Sequence, residues 1–261
     1  MTKSITLAIM ALTFSFSGDL SCDQTINKDV IQICYNYQVK GPLVSYYTLT
    51  AKQVNENNIK KRPRFYKEKN LAGSKRTTYA DYTHGTSVRD IEAGRVQHYD
   101  RGHLAPDASF DYNQKALNKV YTMANIIPQV DIVNRKTWIK AEKYERLAAN
   151  SSDVKVWNLV EYNDLSNYLV KLPIKQVDIS KWNLGKKYGY INKAKVLQNK
   201  KIVVPSGFYK IISAGGIENS RVFYYANVSV DAKKDKLKNH LVKGQKKEWV
   251  IGELKRLGVL Q

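Results

Sequence analysis

Cysteine and histidine are scarce in this chain, with two and four respectively in 261 residues. Two thiols cannot close a structural zinc site without histidine help, and His84, His98, His103 and His240 are too few and scattered for a multi-histidine metal cage. The sequence also lacks a glycine-rich loop ending in Lys-Ser/Thr, a Gly-x-Ser-x-Gly elbow, a His-Glu-x-x-His helix and a Gly-x-Gly-x-x-Gly turn. Those absences exclude P-loop phosphate binding, serine-elbow hydrolysis, zincin chemistry and the dinucleotide fingerprint. Acidic residues are few as well, 23 Asp+Glu against 43 Lys+Arg, for a net charge of +20. A field of that size attracts polyanions, which makes nucleic acid the leading partner class and an anionic membrane surface the second.

No long hydrophobic run is present. The apolar stretch Ile5 to Phe16 follows Lys3 and precedes small residues, the layout of a signal peptide over residues 1–17. As a helix, its twelve residues reach only about 18 Å against a hydrocarbon core of roughly 30 Å, so no stable membrane insertion is expected. The expectation is therefore a secreted or periplasmic protein whose working domain is residues 18–261. Cys22 and Cys34 are then either a disulfide near the mature N-terminus or two free thiols, Cys34 buried in a strand.

The rest reads as one α+β domain with antiparallel sheet, since no composition break marks a second one. Val30–Tyr37 and Leu43–Leu49 form a predicted hairpin around Lys40-Gly41-Pro42, and residues 53–94 read as a long loop. A strand is predicted from Arg95 to Tyr99, ending at the Gly102/Pro106 punctuation. A short helix follows over Asn113–Tyr121, then a short strand, Met123–Ile127, stopped by Pro128. Asp131–Ala149 is the clearest helix. Val154–Val160, Lys201–Val204, Phe208–Ser213 and Val222–Val230 read as strands, a Lys-rich stretch fills 171–201, and Glu248–Leu257 reads as a helix.

One polar cluster stands out: Tyr99-Asp100-Arg101-Gly102-His103-Leu104-Ala105-Pro106, then Asn125-Ile126-Ile127-Pro128-Gln129, then Asn134, Trp138, Glu142 and Arg146 at intervals of four. Phosphodiester hydrolysis needs a base for water, a cation on the phosphate and further positive charge for the transition state. A histidine, oxygen ligands for a hard cation and arginines supply those parts. The spacing of four puts Asn134, Trp138 and Glu142 on one drifting helix face and lets Glu142 and Arg146 pair.

These three blocks, in this order, resemble the DNA/RNA nonspecific endonuclease family. Weaker flanks are Ile33-Cys34-Tyr35-Asn36-Tyr37, Arg64-Phe65 and Val204-Pro205-Ser206-Gly207-Phe208-Tyr209-Lys210. The resemblance covers most of residues 30–260. It implies a ββα-metal core, with His103 as general base and Asn134 as the single direct protein ligand of Mg²⁺, for which Mn²⁺ would substitute. Glu142 would hold the ion's water shell, Asn125 would orient groups beside His103, and Arg64, Arg101 and Arg146 would contact or steady the scissile phosphate. DNA and RNA would be cut with little sequence preference to 5′-phosphate and 3′-hydroxyl ends; the sequence leaves the oligomeric state open, with a homodimer as one option. A non-catalytic, basic nucleic-acid-binding protein is the alternative, testable by intact DNA and a steep salt dependence. Two features depart from the family: Val154–Val160 lacks a Thr-Gly-Pro, and the Lys-rich stretch 171–201 has no counterpart.

Overall fold

The computed structural model describes residues 20–56, 58–82, 87–90, 95–162, 196–197, 202–228 and 230–260, and of these 87–90, 95–98 and 196–197 as backbone only. The apolar N-terminal run and most of the Lys-rich stretch lie outside the described residues. Chain order gives β1 (Gln24–Asn27), β2 (Gln32–Asn36), β3 (Gly41–Leu49), α1 (Ala51–Asn55), β4 (Ser87–Asp90), β5 (Arg95–His103), α2 (Gln114–Val120) and β6 (Ile126–Val130). It continues with α3 (Trp138–Ala149), β7 (Val154–Glu161), β8 (Val196–Leu197), β9 (Ile202–Val203), β10 (Gly207–Ser213), β11 (Arg221–Ala226), β12 (Leu241–Val242) and α4 (Gly244–Arg256).

β-branched and aromatic residues dominate the long strands, and they assemble into an antiparallel sheet ordered β1-β2-β3-β7-β10-β11-β12. Alternation along β10 sorts its two faces. On one face Phe208 meets Trp138 of α3 edge-on at 4.8 Å and Lys210 reaches Glu145 of the same helix. On the other face Tyr209 lies 6.0 Å from Trp249 of α4. The sheet is thus the middle layer, with α3 on one side and α4 on the other. α3 buries Trp138, Ala141, Glu145 and Ala149, the stripe that spacings of three and four produce. Cys22 and Cys34 pair as a disulfide that ties the segment before β1 to β2, with Cα atoms 5.2 Å apart. Among the described residues, no helix is long and apolar enough to cross a membrane.

A smaller antiparallel sheet, β4-β5-β6, delivers the polar cluster. β5 does not end at Tyr99; it runs through Gly102 to His103, because Gly102 lies opposite Ile127 with the Gln129 side chain over it. A Cβ at position 102 would overlap that side chain. Pro128 does not stop its strand either: it sits inside β6 opposite Arg101. β6 is an edge strand, where a missing N–H costs no ladder bond. The buried Asn227 side chain completes that edge, accepting from Val130 N at 2.8 Å and donating to Pro128 O at 2.9 Å.

The predicted loop over 53–94 holds more order than its composition suggests. Thr50 and Gln53 form a reciprocal capping box that starts α1, and β4 pairs with β5. Residues 131–149 are helical as predicted, but Val133–Thr137 is a π-turn, with the Trp138 N–H donating to Val133 O. The extra residue breaks the spacing of four between Asn134 and Trp138 and rotates Asn134 relative to the rest of the face.

Candidate active site

β5, β6 and the helix through α3 form a ββα unit, and each of its parts contributes to one cluster. His103 ends β5. Its ring lies 5.2 Å from Phe65 and 4.8 Å edge-on from Tyr121, and its Nε2 is buried without a hydrogen-bond partner. Burial drives the ring's pKa down to about 4, opposed by the Asp107 carboxylate and assisted by Arg62. The imidazole is therefore neutral at physiological pH, with a lone pair free to accept a proton. Tyr121 donates to Asp107 at 2.9 Å, and Arg62 pairs with Asp107 at 3.2 Å and Asp111 at 3.0 Å.

Asn125 is fully buried and spends its amide on the backbone. It donates to Ala105 O and Val120 O and accepts from Ala105 N, each at 3.0 Å. It fastens the turn that follows His103 and does not face solvent. Arg101 lies over the Tyr79 ring at 4.3 Å and the Phe65 ring at 5.3 Å, with its Nε buried and unpaired.

Asn134, on the π-turn, donates its Nδ2 to Asp100 Oδ2 at 2.9 Å. Since a carboxylate only accepts, this contact fixes the amide orientation and leaves Oδ1 as the end available to a hard cation. Arg135 grips the same carboxylate through Nε at 2.7 Å and Nη2 at 2.6 Å. Burial alone would raise the Asp100 pKa, but the hydrogen bonds from Arg135 and Asn134 outweigh it and hold the group below the usual aspartate value.

Glu142 is partly exposed, one turn before the buried Glu145. Desolvation pushes its pKa up to about 7; Lys210 opposes the shift and the Glu145 charge adds to it. Among the described residues Glu142 and Arg146 make no i, i+4 ion pair. Arg146 instead donates to Ser109 Oγ at 3.3 Å, and Ser109 donates to Glu145 at 2.7 Å. Beneath them Lys210 and Glu145 form an ion pair, both side chains fully buried, with Tyr47 donating to the same carboxylate at 2.9 Å. Arg64 is exposed and makes none of these contacts; the arginine that reaches the cluster is Arg62, two residues earlier.

Sequence reasoning missed Arg62, Asp107, Asp100 as the partner of Asn134, and the Lys210–Glu145 pair. Signals existed for two of these. Asp107 and Asp111 are acids four apart facing an Arg-Pro-Arg stretch, and Lys210 shares a strand face with Phe208 and Ile212, which requires a buried acid opposite. Among the described residues, no three His, Cys, Asp or Glu side chains form a metal cage. An open cavity of about 360 Å³ beside β2, β3 and α1 is lined by neither His103, Asn134 nor Glu142.

A ββα unit that brings together a neutral histidine, an amide oxygen and arginines holds the types of group that phosphodiester hydrolysis needs. Residues 10–252 match the model of the DNA/RNA non-specific endonuclease, and the chain belongs to that family. It is 26% identical over 80% of its length to human mitochondrial Endonuclease G, and 27% identical over 76% to the bovine protein. The chain spans 61% and 58% of those two relatives. A mitochondrial nuclease of Saccharomyces cerevisiae is 29% identical over 46% of the chain. The crystal structure of an EndoG/EndoGI complex shares the fold, with a TM-score of 0.66 at 21% identity over 90% of this chain and 86% of that one. These relatives correct the expectation of a secreted or periplasmic protein, because they are mitochondrial nucleases and point to mitochondria instead of export. A short apolar run behind a lysine does not by itself distinguish one targeted compartment from another.

Proposed function

We propose that residues 18–261 are a metal-dependent endonuclease that hydrolyses the phosphodiester bonds of DNA and RNA with little sequence preference. The carrying observation is His103, a neutral imidazole whose buried Nε2 has no partner within the protein. In this reading His103 takes a proton from water as the water oxygen attacks phosphorus. The P–O3′ bond breaks, leaving a 5′-phosphate and a 3′-oxygen that is protonated to a hydroxyl.

The donor set fits Mg²⁺, which keeps most of its waters and asks little of the protein. Asn134 Oδ1 would hold the ion and Glu142 would accept from its waters. When bound, the ion supplies positive charge to the phosphate and the leaving oxygen. Arg101 and Arg146 add fixed positive charge at the cluster, and Arg62 takes the place first given to Arg64. Nothing in the cluster is built to read base edges, and phosphate contacts carry no sequence information.

Plasmid and RNA digestion with Mg²⁺ or Mn²⁺, stopped by EDTA, tests the reading. His103→Ala is expected to lose about 10²–10⁴ in rate, about 3–5 kcal/mol of transition-state stabilisation, with the fold intact. Undiminished cleavage in that variant removes His103 as the base. Intact DNA in every condition, with tight and salt-sensitive binding, leaves a nucleic-acid-binding protein without catalysis.

A further inference from the structure

His240 and the lysines around it take no part in the site described above. Between Asp231 and Lys243 the chain carries five lysines and two aspartates, and the two acids are occupied. Asp231 accepts from the Lys233 backbone at 3.1 Å and lies 3.8 Å from Lys234. Asp235 turns inward: Lys140 of α3 donates to its carboxylate at 2.9 Å and to its backbone carbonyl, and His240 Nε2 meets its other oxygen. The Asp235 side chain is only 9% exposed. His240 is held further by Tyr224 O at 2.9 Å from Nδ1 and by stacking on Tyr225, 3.8 Å away at 13°. Tyr225 in turn packs edge-on against Trp138 at 5.2 Å, so the segment is docked on the helix that carries Asn134 and Glu142.

Lys233, Lys236 and Lys238 are left exposed, and among the described residues none has an acid within ion-pair distance. A charge run that only keeps a chain soluble needs no anchor. This one is tied at Asp235 and at its end by a buried acid and a stacked ring, which presents three unneutralised cations at fixed positions beside α3. We propose that residues 231–240 form a docked phosphate-binding ridge that contacts the nucleic-acid backbone away from the cleaved bond. The proposal rests on the reading of the chain as a nuclease and extends its substrate footprint.

The experiment is a binding titration of duplex DNA in EDTA over a range of salt concentrations. It compares wild type with Lys233→Gln/Lys236→Gln/Lys238→Gln and with a control of equal charge loss, Lys52→Gln/Lys115→Gln/Lys155→Gln. Each phosphate contact contributes about 0.9 to the slope of log K against log salt. The ridge variant is expected to bind more weakly with a slope shallower by about 2–3, and the control by less than about 1. Equal changes in the two variants, or none in the ridge variant, overturn the proposal. So does loss of sedimentation with anionic phospholipid vesicles while the DNA slope holds, which makes the ridge a lipid contact. Cleavage by the wild type with Mg²⁺ is scored separately, so failure of the nuclease reading is distinguishable from failure of the ridge.

Discussion

The seven-stranded sheet and the ββα unit differ in how completely their buried polar groups are paired. In the sheet's core, Lys210 and Glu145 of α3 neutralise each other at zero exposure, and Asn158 donates to Ser45 at 3.0 Å; two buried atoms on its strands, Asn158 Oδ1 and the Tyr225 hydroxyl, have no partner. On β5, β6 and α3, buried atoms of Arg101, His103, Gln129 and Trp138 have no partner, and they account for five of the eight such atoms among the described residues. An unsatisfied buried polar atom costs roughly 1–3 kcal/mol, and of these residues His103 and Arg101 are partly exposed, so a bound group can reach them, whereas Gln129 and Trp138 are fully buried. The sheet provides the stability that lets the ββα unit leave those groups open.

The largest expected effect separates the two regions cleanly. His103→Ala should remove two to four orders of magnitude in rate, as above, and leave the melting temperature nearly unchanged. Lys210→Ala should do the reverse, costing about 3–5 kcal/mol in chemical denaturation because it strands Glu145. The double change Lys210→Met/Glu145→Leu is expected to cost much less. If Lys210→Ala unfolds no more easily than wild type, the contrast between sheet and site is wrong.

Asp100→Ala sits on the boundary. With the carboxylate gone, nothing fixes the Asn134 amide with its oxygen outward, and Mg²⁺ affinity by calorimetry should fall about 10–100-fold while the fold holds. An unchanged affinity would separate Asp100 from the metal.

Two pH dependences sharpen the comparison further. His103 must be neutral to accept a proton, so activity at saturating Mg²⁺ should fall only as pH drops toward about 4, well below the ordinary histidine range. At low Mg²⁺ the acid limb should move up toward about 7, where Glu142 becomes protonated in the metal-free protein. A limb that stays put as Mg²⁺ is varied removes Glu142 from the ion's shell.

The smallest effect is on metal-free stability. The unfolded chain binds more protons at His103 between about 4 and 6.5, so that group's stabilisation rises with pH through the window and is lost as pH falls. Glu142, raised from 4.5 to about 7, acts oppositely: the folded state holds the extra proton, and stability falls as pH rises. The two slopes oppose each other between 4.5 and 6.5, so Glu142→Gln should make the melting temperature climb more steeply with pH than in wild type.

Much of the fold was legible wherever local pattern and tertiary context agree. The β2–β3 hairpin, α2 with its Asn113 cap, β7 and β10 follow from β-branched runs, turn residues and capping chemistry. Pro128, Gly102 and the π-turn were not legible, because each is decided by a neighbour: an edge position, the Gln129 side chain, and the packing that adds a residue before Trp138. In the site, three blocks in order and the family resemblance they carry grouped His103, Asn134 and Glu142, but the resemblance named Arg64, whereas Arg62 is the arginine that reaches the cluster. That choice depends on which arginine meets Asp107 and Asp111 in space.

By itself the sequence determined the basic character, the family and the chemical inventory, since charge and residue type do not depend on folding. Tertiary structure decided how that inventory is used. Burial makes His103 neutral, Asp100 turns the oxygen of Asn134 outward, Asn125 becomes a backbone clamp, and Arg146 is directed to Ser109 instead of Glu142. Each of these rests on desolvation or on a hydrogen bond between residues distant in the chain, and neither exists until the sheet and helix have packed.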